Sequence, residues 1–323
     1  MTTENKTAEI KRATGLLVIE VVNSNPNGDP DRESDPRQRA NGRGEISPVS
    51  LKRKLRDLLE DPETPFFKSL PDWVTGRNAD HYQILEHRGR DRDQIQKEMN
   101  PNGDIKIFSE EKFLESPFVK KYWDARVFGN TFLEDGGNKG FIKTGVVQFG
   151  VGLSISPINI IRSTNTNKAG VQKDKNAGMA PLGFRVVEHG VYCMPFFVNP
   201  NYAKKSGCEK ADIDLLKLLI PVAYDLNRSA IRPDVRLRHA WYIEHKNTLG
   251  SCPDYLLFEA LMPKRKGDPE VPSTSWADYE DRTALPEELQ NRVADCEDLM
   301  TKAFPNEEAP QPPTESTESA GNA

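Results

Sequence analysis

An α+β fold is the class this sequence predicts, and three observations predict it. "TGLLVIEVV" (14–22) is an apolar run rich in β-branched residues, as a buried strand requires. "GVVQFGVGLSISP" (145–157) alternates apolar with small or polar residues, the period of a strand with one core face. "SPVSLKRKLRDLLED" (47–61) instead spaces Leu51, Leu55, Leu58 and Leu59 along one stripe of a helix.

The elements follow in chain order. The first strand ends in an Asn/Pro/Gly turn, and Ser47 is placed to cap the ensuing helix with Pro48 at its first position. Residues 61–142 are mixed in character and read as an insertion, with "SEEKFLESPFVKKYWDARVFGN" its most structured portion. Within 145–157, Val147, Phe149, Val151, Leu153 and Ile155 are expected to face the core, and Gln148, Gly150, Gly152, Ser154 and Ser156 the open side. Residues 162–183 hold almost no apolar side chain before "VYCMPFFV" (191–198), which predicts two strands joined by an extended polar arm. "KADIDLLKLLIPVAYDLNR" (210–228) reads as a helix interrupted at Pro221. "LRHAWYIEHK" (237–246) and "DYLLFEALM" (254–262) read as strands. Setting insertions aside, the order strand, helix, strand, strand, helix, strand is the ferredoxin-like βαββαβ plan, which the RNA-recognition motif shares. The expected organisation is a tail at 1–13, this palm at 14–262 with insertions at 61–142 and 160–185, and an acidic region at 263–323, disordered from about 305.

Charge is unevenly spread. The 323 residues carry a net charge of −5, yet residues 270–323 hold 3 Lys+Arg against 13 Asp+Glu, so the remainder is mildly basic. That balance is compatible with a polyanion partner. Cys193, Cys208, Cys252 and Cys296 form no CxxC pair, which argues against a zinc site and a secreted disulfide framework. No signal core or membrane-length apolar run is present, so a reducing, cytoplasmic setting without membrane association is expected.

Seven basic residues fall between positions 37 and 56, directly after the Asn/Gly-rich turn. Lys52, Arg53 and Arg56 lie three and four apart and share a helix face away from the leucines. This is either a solvated face or a phosphate grip, with Arg37, Arg39 and Arg43 adding contacts; the neighbouring turn and helix N-terminus favour the grip. Asn23, Asn25, Asn27 and Gly28 mimic the start of a calcium loop, but Ser34 stands where a bidentate Glu is required, so no calcium site is expected and no metal or cofactor is assigned; the alternating Asp29, Asp31, Glu33 and Asp35 leave a weaker divalent site for phosphodiester hydrolysis as the alternative. The histidines, His81, His87, His189, His239 and His245, have no paired-ligand spacing, and His239 and His245 share a strand face with Trp241 and Ile243, where packing is the expected role. No GxSxG, Walker or GxGxxG motif follows a strand, so no catalytic residue is assigned. The arm carries Arg162, Lys168, Lys173, Lys175 and Arg185, with Met179 as its main apolar group; such a segment either stays disordered or orders on a partner.

Several of these stretches, in order over residues 14–262, resemble the backbone subunit of type I CRISPR Cascade complexes: "NPNGDPD…R", "ISPVSLKRKLRDLL", "DARVFG", "GVVQFGVGLSISPINIIRST" and "WYIEHK". The type I-C form is most similar, and type I-B relatives come next. The resemblance implies a hand-shaped protein with an RNA-recognition-like palm, fingers at 61–142 and a hairpin thumb at 160–185. It implies a homo-oligomer stacked along the crRNA, with target DNA and other Cascade subunits (Cas-five-type, large and small) as partners. It also implies that Asn23, Asn25, Asn27, Gly28, Lys52, Arg53, Arg56 and Arg126 meet the guide backbone, which makes Arg39, Arg43 and Arg162 candidates beside them, and that Lys168, Lys173, Lys175 and Met179 act from the thumb. Type III relatives of the same family cleave target RNA with a loop Asp and metal; Asp29, Asp31 and Asp35 are the corresponding candidates for that alternative.

Overall fold

The computed structural model describes residues 9–76, 79–99, 114–130, 143–167 and 180–303. An eight-stranded antiparallel sheet organises them. Its members are β1 (Ala13–Ser24), β2 (Arg43–Ile46), β3 (Val147–Phe149), β4 (Gly152–Pro157), β5 (Ile160–Asn167), β6 (Ala180–Val198), β7 (Val235–His245) and β8 (Val293–Asp298). The sheet runs β8-β7-β1-β6-β4-β2, with β3 and β5 also paired to β6. Every pairing is antiparallel. Four helices matter below: α1 (Pro48–Asp57), α2 (Trp123–Phe128), α3 (Lys210–Leu219) and α4 (Asp254–Leu261).

β1 is apolar without alternation because both of its faces are buried. Leu17, Ile19 and Val21 pack with Leu51 and Leu55 of α1 and with Leu215, Leu216 and Leu219 of α3. Leu16 and Val18 face the other way, toward Leu257 and Leu261 of α4 and toward Tyr279 and Leu285. Residues 263–303 therefore do more than trail the palm: they cover its second face and add β8 to its edge.

Helix α1 forms as its sequence predicts, with the Ser47 hydroxyl accepting the Ser50 N–H at 3.3 Å and Pro48 in the first turn. Helix α3 stops at Leu219, before Pro221. Two expectations are corrected. Residues 254–261 are a helix rather than a strand; Asp254 sits in its first turn, and Leu257 and Leu261, four apart, point into the core. The alternation of 145–157 also breaks: Phe149 pairs with Phe196 but Leu153 with Cys193, four residues advancing against three. That bulge around Gly150 reverses the faces. Val147 and Phe149 are buried as expected, but beyond the bulge Gly152, Ser154 and Ser156 are buried and Val151 is exposed. The Ser154 hydroxyl tolerates burial because it accepts the Gly44 N–H at 2.8 Å and donates to the Ser156 carbonyl at 2.5 Å.

Candidate nucleic-acid interface

The turn leaving β1 is docked onto the start of α1 by its own side chains. Asn23 is exposed, with a left-handed backbone (φ +42°) that asparagine tolerates. Asn25 is buried, and its amide donates to the Ser34 carbonyl at 2.9 Å. Asn27 accepts the Ser47 N–H at 2.7 Å, and the Ser50 hydroxyl reaches the Pro26 carbonyl at 3.3 Å. Gly28 pairs with Pro36 in a small hairpin whose tip is the 3-10 turn Pro30–Arg32. Asp29 accepts the Asp31 N–H at 3.2 Å within that tip.

The cations around this turn are engaged by carboxylates. Arg39 donates to Glu45 at 3.0 Å, and Arg37 lies 3.8 Å from the same side chain. Arg43 pairs with Glu270 at 3.0 Å and also donates to the Ile155 carbonyl. Arg162, at the base of the β5–β6 hairpin, pairs with Asp35 at 2.6 Å, and Arg185 opposite it reaches Glu33 and Asp35. Among the described residues no group of three or more His, Cys, Asp and Glu could hold a metal ion. Lys168, Lys173, Lys175 and Met179 lie outside the described residues.

The helix cations are less exposed than their spacing predicts. Arg56 is buried, donating to Asp124 at 2.8 Å and pairing with Glu86 at 2.9 Å. Arg53 is held by Asp57 and Glu60. Lys52 sits 5.2 Å over the Phe128 ring, where burial and then the neighbouring Arg56 hold its amine below the ordinary lysine value. Arg126 is 1% exposed and gives Asp212 two hydrogen bonds, at 2.9 and 2.7 Å, with further bonds to the Val119 and His81 carbonyls. The open cationic face expected of α1 is thus covered by α2, and Arg56 and Arg126 tie α2 into the fold.

Sequence reading missed two cations here. Lys54 is 5% exposed, 5.3 Å over the Tyr224 ring, and Arg232 donates to the Asn25 carbonyl at 3.0 Å. The only sequence signal for Lys54 was its place four residues after Ser50, on the side of α1 that meets the turn.

Three histidine sites lie on the other face of the sheet. His189 sits between Glu20 (3.2 Å) and Ser273 (2.8 Å), an arrangement that nucleophilic hydrolases also use. Ser273 is 3% exposed, however, and takes a hydrogen bond from the Tyr279 hydroxyl at 2.9 Å, so the trio fastens residues 273–279 to the sheet. Arg238 donates to Glu20 at 2.8 Å; burial opposes the Glu20 charge, but His189 and Arg238 hold its carboxyl below the ordinary value. His239 stacks on Trp241 and bonds Asp298 at 2.6 Å and Asp281 at 2.9 Å. His245 is buried against the Thr14 hydroxyl at 3.0 Å. His239 thus packs on Trp241 while its ring nitrogens are held by carboxylates, and His245 is held by Thr14 and the Ser251 N–H.

Comparison with known proteins gives one family. Residues 11–283 match the family described as CRISPR-associated protein Cas7. No curated protein matches the chain. A chain of a CRISPR RNA-guided surveillance complex, pre-nicking, aligns at a TM-score of 0.41 and 12% identity, covering 71% of this chain and 78% of that one. A second, from a CRISPR RNA-guided surveillance complex, aligns at 0.34 and 12%, covering 70% and 68%. A third, from a Type III-B Cmr-beta bound to cognate target RNA, aligns at 0.38 and 12%, covering 72% and 61%.

Proposed function

The chain belongs to the Cas7 family of CRISPR-associated proteins, and we propose on that footing that it is a crRNA-binding backbone subunit of a type I Cascade complex, of the I-C kind. The family match over residues 11–283 is the observation that carries this reading. Copies stack along the guide, hold its backbone without reading its sequence, and present it in segments to target DNA beside the other Cascade subunits. Phosphate and sugar contacts suit that task because they position a strand without specifying bases.

The palm is read as ferredoxin-like, which the order β7-β1-β6-β4 supports, with α1 and α3 as its two helices. The paired β5–β6 hairpin supports a thumb at 160–185, and residues 61–142 are the fingers. Of the candidate contacts, Asn23, Gly28, Arg39, Arg43, Lys52 and Arg162 are read as meeting RNA. Asn25, Asn27, Arg53, Arg56 and Arg126 are read as supports, since their side chains bond within the fold, Asn25 through its amide N–H alone. The subunit is read as non-catalytic: Asp35 is held by Arg162 and Arg185, and Asp29 by its own turn.

Purification under gentle salt tests the reading. Repeat-derived guide RNA should co-purify, and an Arg39→Ala, Arg162→Ala double variant should retain less of it, with a shallower salt dependence. A preparation free of RNA that also ignores added guide would sink the proposal. Regularly spaced cleavage of complementary RNA with Mg²⁺ would turn it toward a ribonuclease.

A further inference from the structure

We propose that Lys54 and Arg232 form a recess beside the Asn23–Gly28 turn that receives one phosphate group of the bound RNA. This rests on the RNA-binding reading and deepens it.

The cations already described around the turn have carboxylate partners, and these two do not. The Lys54 ammonium, on a side chain almost wholly withdrawn from water, has no hydrogen-bond or ion-pair partner among the described residues; it lies 5.3 Å from the centroid of the Tyr224 ring. Arg232 spends its Nε–H on the Asn25 carbonyl and pairs with no carboxylate among the described residues. Tyr224 is itself buried, and its hydroxyl has no hydrogen-bond partner among the described residues. Other polar contacts bring the pieces together. Asn25 donates its N–H to the Ile231 carbonyl at 2.7 Å, and Asn227 donates to the Lys54 carbonyl at 3.1 Å.

A buried ammonium without a counter-charge is expensive, so it sheds its proton or acquires an anion. Burial first, then Arg232, lower the Lys54 pKa to about 7; Asp57 works against this and Arg88 with it. Asp57 offers little relief because Arg53 and Arg88 already claim it. A phosphate oxygen between Lys54 and Arg232 supplies the missing charge, and by linkage its arrival draws a proton onto Lys54. A phosphodiester oxygen fits better than a carboxylate side chain because Arg232 is bonded to the Asn25 carbonyl, within the turn assigned to the RNA backbone.

Lys54→Met and Arg232→Gln test this, each with guide RNA and with inorganic phosphate as a separate probe. Both variants should bind guide RNA with a salt slope shallower by about one. Calorimetry of the wild type near pH 8, in two buffers of different ionisation enthalpy, should show uptake of up to about one proton per chain, absent in Lys54→Met. If the wild type binds guide but the variants match it in slope and proton uptake, the recess is overturned and the functional reading stands. Protection from thermal unfolding by inorganic phosphate, lost in both variants while RNA slopes stay unchanged, would make this a free-anion site and also overturn the inference. A wild type that binds no RNA at all removes the functional reading and RNA as the source together.

Discussion

Arg126 and Asp212, 86 residues apart in sequence, form a two-bonded ion pair in which each side chain is 1% exposed. The same guanidinium reaches the Val119 and His81 carbonyls, so one side chain joins α2, α3 and two neighbouring segments. Removing one partner leaves the other charge buried and alone. Arg126→Ala should cost about 3–5 kcal/mol, read as the denaturant midpoint at unchanged slope. A loss under about 1 kcal/mol would show that the pair does not hold the two helices together.

Gly15 faces Phe196 across the β1–β6 pair, and a Cβ at Gly15 would lie 2.0 Å from the ring's Cζ. Gly15→Ala should therefore destabilise by roughly 1–3 kcal/mol through overpacking. Adding Phe196→Leu should recover part of that loss, and strict additivity of the two changes in thermal unfolding would contradict the contact.

His239 supplies a pH test. Burial works against its charge, but Asp298 and Asp281 outweigh it and raise the pKa above the ordinary 6.5. A base whose folded pKa is raised stabilises fully below its unfolded value and loses that contribution as pH climbs through the folded one. His239→Gln should thus lower the melting temperature more at about pH 5.5 than at about pH 9. Equal losses at both values would mean the histidine packs without its charge mattering.

The local chemistry was legible wherever cause and consequence sit within a few residues. Ser47, Pro48 and the leucine spacing define α1, and Pro221 marks where α3 has already ended. The fate of the basic face was not legible, because what decides it comes from far along the chain. Asp124, which claims Arg56, is 68 residues away, and Phe128 beneath Lys52 arrives with it. A helical period identifies a face but not its cover. The same blindness hid Lys54, which reads as one more surface cation until Tyr224 packs against it. In 145–157 a single bulge undid a correct period, since alternation carries no signal that the backbone gains a residue. The strand reading of 254–262 failed because Tyr, Leu and Phe suit either structure, and the four-residue spacing of Leu257 and Leu261 outweighs their strand preference.

The central strands are upholstered on both sides, by α1 and α3 below and by α4 with residues 263–303 above. Flat aromatic platforms of the kind that splay bases need a bare sheet, and β1 has none to offer. On the proposed function, an RNA strand runs along the margins of the sheet, where strands end and turns begin, and grip comes from rims and corners.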